Sequence, residues 1–268
     1  MKKESSETLR KVTFNYTCFI NNQLNSNTCN QFLSWFCGFT EGDGSLIVSK
    51  ERMYFYLVQK DPKILYLIKK KLGFGYVRKH NQSYRYEVTN KQHIKLLYHL
   101  FNGNFILKKT QQKLLKWSQI LELDYKRSIP LHNLFLFENS WLSGWIDAEG
   151  CFNSYWVKDS RYKIGGRIRH RFVIGQTDEL EMLNKLQDTI TSGSIQQYNN
   201  HYVYSLWGKK YQQELIKYLE KNKLRTLKRI DYLRWKRLIE KDKKMDIDRV
   251  KRLIEKLKSK SDMLMKIT

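Results

Sequence analysis

The sequence predicts an α+β protein made of two pseudo-symmetric halves. Each half reads helix, two strands, helix, two strands, helix. Three observations predict this. The stretch WFCGFTEGDG (35–44) is answered by WLSGWIDAEG (141–150), with matching small and acidic residues. The segments that follow pass the same landmarks in the same order. The strand segments alternate apolar and polar residues, as half-buried antiparallel sheets do. Duplication is weighed first because a missed repeat misassigns the whole fold.

The landmarks set the boundaries. Residues 1–29 have no counterpart and form an N-terminal extension. The first repeat spans 30–121, a linker containing Pro130 spans 122–138, and the second repeat spans 139–240. Residues 241–268 read as a basic C-terminal helix. After the first motif, Leu46 and Val48 alternate with Ser45, Ile47 and Ser49. Then VQKDPKILYLIKKKLGFG supplies a strand end with Gln59, an N-cap at Asp61, Pro62 at the first helical position, an amphipathic helix and a glycine stop. In the second repeat IGQTDELEMLNKLQDTITSG reads the same way. There Asp178 and Glu181 suggest the carboxylate form of a capping box. YRYEVTNK (84–91) and YVYSLWGK (202–209) read as strands, and basic helices carrying Trp117 and Trp235 end the repeats. The second repeat is longer, chiefly between its motif and Gln176. In the tail, Ile247, Val250, Ile254 and Leu257 share one helical stripe, which favours docking on the second repeat over a separate binding arm.

Composition narrows the function. The 268 residues, 41% of them hydrophobic, suffice for packed cores. Lys plus Arg number 50 against 26 Asp plus Glu, a net charge of +24. No small metabolite requires such an excess; a polyanion does, and nucleic acid comes first. A generally solubilising surface is the plain alternative, but 17 Tyr and 7 Trp beside that charge favour nucleic acid. Cys18, Cys29, Cys37 and Cys151 form no CxxC pair and read as free thiols in a reducing compartment. No apolar run reaches the ~18 residues of a membrane span. The opening MKKESSETLRKV lacks the apolar segment of a signal peptide, so no membrane partner is expected. Only 2 Pro and a single Ala occur, while residues with AT-rich codons abound. That bias points to an organelle genome, mitochondrial or chloroplast.

The paired motif has a physical reading of its own. Small residues four apart share one helix face. Gly38 and Gly42 make such a face, and Gly144 and Ala148 another, so two helices can pack backbone to backbone. Packed roughly parallel, they bring Asp43 and Glu149 together at their C-terminal ends, where helix dipoles disfavour acids. A divalent cation with hard oxygen ligands, Mg²⁺ (or Mn²⁺), removes that repulsion, with phosphate oxygens and water completing its shell. The bland alternative is that these acids only hydrogen-bond nearby backbone. Two matched copies in a basic, duplicated chain favour the metal.

FCGFTEGDG and LSGWIDAEG resemble the two motifs of LAGLIDADG proteins of the single-chain, two-repeat class. The resemblance covers about residues 31–240; Phe36 stands where the motif usually has leucine, and Thr40 is polar where an apolar residue is common. It implies αββαββα repeats around the motif helices, with two antiparallel sheets forming a saddle over the DNA major groove. It implies a monomeric, intron-encoded homing endonuclease that makes a staggered double-strand break in a long site by metal-dependent hydrolysis. Water attacks the phosphodiester in line while cations stabilise the charge developing on the phosphate. The metal ligands implied are Asp43 and Glu149, with Glu41 and Asp147 chiefly structural. Gln59 and Gln176 would order water. A lysine before the last helix of each repeat would stabilise charge: Lys228, and Lys109 with Lys108 as its rival. Ca²⁺ is expected to bind without supporting cleavage. Some members act as RNA maturases, so binding of host intron RNA, with or without DNA cleavage, is the alternative function.

Major-groove reading needs side chains that reach base edges. Strand alternation offers Ser45, Ile47, Ser49, Lys50, Arg52, Tyr54, Tyr56, Arg78, His80, Ser83 and Arg85 in the first repeat. In the second it offers Asn153, Tyr155, Arg167, Arg169, Arg171, Gln196, Tyr198 and His201. Lysines elsewhere would meet phosphates only.

Overall fold

A computed structural model of the chain describes residues 14–22, 28–162, 165–241 and 250–257. A short helix, α1 (Thr17–Asn22), comes before the repeats. The first repeat runs α2 (Asn30–Asp43), β1 (Gly44–Ser49), β2 (Arg52–Gln59), α3 (Pro62–Leu72), β3 (Tyr76–His80), β4 (Ser83–Val88), α4 (Lys91–Phe101) and α5 (Lys108–Leu121). The second runs α6 (Trp141–Glu149), β5 (Cys151–Lys158), β6 (Gly166–Thr177), α7 (Leu180–Ile190), β7 (Ser194–Tyr198), β8 (His201–Leu206), α8 (Lys209–Lys221) and α9 (Lys228–Lys241). Each repeat holds a four-stranded antiparallel sheet with the same order, β1-β2-β4-β3 and β5-β6-β8-β7. The α+β duplication is therefore present at the level of topology.

Each repeat closes with two helices where the sequence pattern suggests one. The Asn102-Gly103-Asn104 corner, with Gly103 at φ +82°, separates α4 from α5. Asn104 stitches that corner to the N-terminal extension by exchanging two hydrogen bonds with the Asn15 backbone.

The two crossover helices differ in their caps. In α3, Asp61 accepts the Lys63 amide at 3.1 Å, and Gly73, at φ +79°, ends the helix as a left-handed cap. The second repeat departs from this. Asp178 stands at φ +61° and caps nothing; Glu179 precedes α7 without a side-chain bond to it. The left-handed residue ending α7 is Thr191, not the glycine two positions on. The physical reason lies across the repeat boundary, where the Glu179 carboxylate is engaged instead.

The core is unusually aromatic. Trp35, Trp117, Trp141, Trp145 and Trp235 are all fully buried. Leu46, Met53, Phe55, Leu57, Tyr86 and Val88 line the helix-facing side of the first sheet. Phe152, Phe172, Ile174, Tyr204 and Leu206 do so in the second. Val48 breaks the alternation and is exposed near the end of β1, an edge strand of its sheet. Residues 250–257 are helical and bury Val250, Ile254 and Leu257; Ile247 of the expected stripe lies outside the described residues. No described helix is long and apolar enough to cross a membrane.

Candidate active site and nucleic-acid interface

Helices α2 and α6 touch along their backbones. A methyl group added at Gly38 would overlap the Trp141 carbonyl oxygen, and one at Gly144 would overlap that of Trp35. One added at Gly42 would strike the Ala148 methyl. The structure thus brings Gly38, Gly42, Gly144 and Ala148 into one seam with no spare volume.

Beside this seam the acids Glu41 and Asp147 are fully used. Glu41 Oε1 accepts the Ile106 and Leu107 amides at 2.8 and 2.7 Å and the Thr110 hydroxyl at 2.7 Å. Its Oε2 accepts the Trp141 indole N–H at 2.6 Å. Asp147 mirrors this, accepting the Arg225 and Thr226 amides, the Thr226 hydroxyl and the Trp35 indole. Each acid therefore ties the entry of its repeat's last helix to a tryptophan of the other repeat. Burial pushes the Glu41 carboxyl up to about 8 and raises that of Asp147. Replacing Trp141 by Phe strips Glu41 of one buried partner. The expected loss is about 1–3 kcal/mol, measured as a lower urea midpoint; an unchanged midpoint would contradict it.

At the lower end of the seam lie Asp43 and Glu149. Gln59 donates to Asp43 at 2.7 Å and Gln176 to Glu149 at 3.2 Å. Gln59 follows its acid by 16 residues and Gln176 by 27, the difference being the longer β5–β6 hairpin. Burial, reinforced by the Asp43 charge, pushes the Glu149 carboxyl up to about 7. Burial also raises Asp43, against the lowering effect of Lys228.

Two clefts flank these acids, and each mixes the repeats. One is lined by Asp43 and Gln59 of the first repeat with Lys228 of the second. The other is lined by Glu149 and Gln176 of the second with Lys109 of the first. Lys228 is half-buried, its amine donating to the Ala148 carbonyl at 2.8 Å; desolvation lowers its pKa while Asp147, Asp43 and Glu149 hold it up. Lys108 turns outward to Glu181 at 2.9 Å on the surface, leaving Lys109 to face Glu149. The sequence pattern did not reveal this exchange of lysines, nor that Lys113, Glu179, Cys151 and Asp61 line the clefts. For Lys113 a signal existed: it follows Lys109 by four residues on one helix face.

The donor set suits a hard divalent cation. Two carboxylates converge with only one amide bond shown to each, whereas the oxygens of Glu41 and Asp147 are engaged. Among the described residues no group of three or more His, Cys, Asp or Glu could enclose a metal. Asp43 and Glu149 would therefore supply part of a shell, the usual arrangement when phosphate and water complete it.

The sheets turn their open faces away from the core. In the first, the register aligns Ser45, Tyr56, Glu87 and Tyr76, with Ile47, Ser49, Arg52, Tyr54, Ser83, Arg85, Arg78 and His80 on the same side. Lys50 lies off that face in the β1–β2 turn, at φ +47°. Glu87 interrupts the basic face and holds Arg78 at 2.9 Å and Arg85 at 3.3 Å. Arg85 also lies over the Tyr56 ring. In the second sheet, Asn153, Tyr155, Arg167, Arg169, Arg171, Gln196, Tyr198 and His201 share the open face. Asn153 is nearly buried there, which makes it the member least available to a ligand. Trp207, unforeseen from sequence, lies under the Arg171 guanidinium and edges against Tyr155.

Comparison with known proteins bears on this arrangement. The chain is 33% identical over 215 residues to a probable intron-encoded endonuclease 4 of Neurospora crassa, covering 76% of this chain and 39% of that protein. It is 29% identical over 130 residues to the intron-encoded RNA maturase bI4 of Saccharomyces cerevisiae, covering 47% of this chain and 20% of the maturase. The chain thus spans well under half the length of these two relatives. Among solved structures, the LAGLIDADG meganuclease I-AabMI bound to uncleaved DNA shares the fold with a TM-score of 0.67 at 21% identity, covering 85% of this chain and 98% of that one. I-SmaMI bound to uncleaved DNA in the presence of calcium ions shares it with a TM-score of 0.65 at 16% identity, covering 83% and 97%. The profile of the LAGLIDADG endonucleases matches residues 36–121 and 142–239, taking in both motif helices, both sheets and both lysine-bearing helices. By that match, over most of its length and in both halves, the chain belongs to the LAGLIDADG endonuclease family.

Proposed function

We propose that the chain is a site-specific, metal-dependent DNA endonuclease that makes a staggered double-strand break, acting as a monomer in an organelle. One observation carries this reading. Two half-buried carboxylates end the paired motif helices beneath a glycine seam, each with a glutamine from its own repeat and a lysine from the other, between two open faces rich in Arg and Tyr.

Asp43 and Glu149 would hold Mg²⁺ or Mn²⁺. The cation supplies Lewis-acid stabilisation of charge on the attacked phosphate. Gln59 and Gln176 orient the carboxylates and the water near them. Lys228 and Lys109 would bring positive charge to the two scissile phosphates, the half-buried Lys228 amine being the better shielded from solvent. The open faces would follow the major groove, where arginines such as Arg167 and Arg169 suit guanine edges and a glutamine such as Gln196 suits adenine. Calcium is expected to support binding without cleavage.

Selection of cleaved sites from a random duplex library with Mg²⁺ tests the reading. Recovery of one long site cut on both strands is expected; duplex binding without any nicking would overturn it. Binding to that site is expected to fall about 10³-fold or more between ~50 and ~200 mM salt, as for a protein neutralising six or more phosphates. Filter binding at the two salt concentrations checks this, and a flat response would contradict it. The kinship with a maturase supports a second reading, host intron RNA binding on the same fold. That reading predicts splicing help that survives loss of both acids.

A further inference from the structure

We propose that Glu179 is a positioning residue for one of the two cleavage centres only. It caps the first turn of α5 from the other repeat and so holds Lys109 toward Glu149. The inference rests on the nuclease reading above.

The first turn of α5 has no cap of its own, since Leu107 occupies the N-cap position. Helix N-termini leave amides without intrahelical partners, and carboxylates are the favoured acceptors there. Glu41 takes the amides of Ile106 and Leu107. The two amides that follow, those of Lys108 and Lys109, both turn to Glu179, the Lys109 amide donating to its Oε1 at 3.1 Å. Glu179 is itself buried and lines the cleft that contains Glu149, Gln176 and Lys109. Its neighbour Glu181 draws Lys108 outward at 2.9 Å. Two acids of one helix start thus separate two adjacent lysines, one to the surface and one to the site. Successive helical residues point about 100° apart, so fixing the backbone and one side chain fixes the other.

The other centre is built differently. Asp61, at the matching place, caps its own helix α3. The first turn of α9 is held within its own repeat: Thr226 Oγ1 accepts the Lys228 amide at 3.1 Å, and Asp147 accepts Thr226. Only the Glu149 centre depends on a cap reaching across the repeat boundary. Helix α7 gives up a side-chain cap in consequence.

Cleavage of each strand is followed separately, on the site recovered by the library selection and labelled on either strand. Lys109→Ala marks the strand served by that cleft. Glu179→Ala is expected to slow the same strand about tenfold, since small misplacements of a charged group cost factors of this order or more, and to leave the other strand within about twofold. Adding Glu179→Ala to Lys109→Ala should slow that strand no further, as two residues acting through one contact are not additive. Glu179→Gln keeps an acceptor oxygen and should restore most of the rate. Should Glu179→Ala fail to fold, Glu179→Asp, which shortens the reach, is expected to show the same strand bias. Equal slowing of both strands, or no slowing, would overturn the proposal. If the unmodified protein cuts neither strand, the nuclease reading itself fails, a result separable from loss of strand bias alone.

Discussion

Replacing Asp43 by Asn and Glu149 by Gln together lowers double-strand cleavage by about a thousandfold or more, while duplex binding stays within about threefold. Both parts of this expectation follow from the site. The acids lie at the lower end of the α2–α6 seam, apart from the residues on the open faces. The amides keep one oxygen each but lose the negative charge that a cation needs, and mutual repulsion is lessened, so the seam itself is not weakened. Each single variant is expected to nick one strand and spare the other, because each cleft has its own acid, glutamine and lysine. Supercoiled plasmid carrying the site reports the result as circles nicked once or as linear DNA. A double variant that still linearises the plasmid would sink the metal-site assignment.

The second large effect is on folding. Gly144→Val is expected to destabilise the protein by more than ~3 kcal/mol, the upper end for forced overpacking. Domains hold only about 5–15 kcal/mol in total, so much of this variant should misfold. The added Cβ would run into the Trp35 backbone, which cannot move without carrying α2 with it. Gly38→Val meets the Trp141 backbone in the same way. Ala148→Gly is the contrast: it removes one methyl and costs about 1 kcal/mol, chiefly in helix propensity. Urea midpoints for the three variants check the order. A Gly144→Val protein that unfolds with the unmodified protein would show that the helices do not meet along this face.

Much of the architecture was legible because it rests on local, repeated patterns. Strand alternation in RMYFYLVQ has a period of two that no helix satisfies, and β2 indeed buries Met53, Phe55 and Leu57 in turn. Asp61 followed by Pro62 announces a helix start through the dihedral and donor preferences of those two residues alone. The cap at Asp178 misled for the complementary reason. The local letters suit a cap equally well, but the Lys109 amide across the boundary needs an acceptor, and Glu179 serves it. The helix split at Gly103 went unread, although Asn102-Gly103-Asn104 carries a turn signal of its own.

The sequence by itself determined the duplication, the sheet faces, the positive charge and the two acids that end the motif helices. Each of these is written in residue type and spacing within one repeat. The tertiary structure alone decided which lysine lines a cleft with which acid, how Glu41 and Asp147 fasten each helix entry to the other repeat's tryptophan, and that Glu87 tethers two arginines of the first open face. The Glu87 pairs join neighbouring strand positions, but the first two are contacts between segments dozens of residues apart. Their partners are chosen by how closely α2 and α6 approach, and that distance is set by the side chains that Gly38 and Gly144 lack.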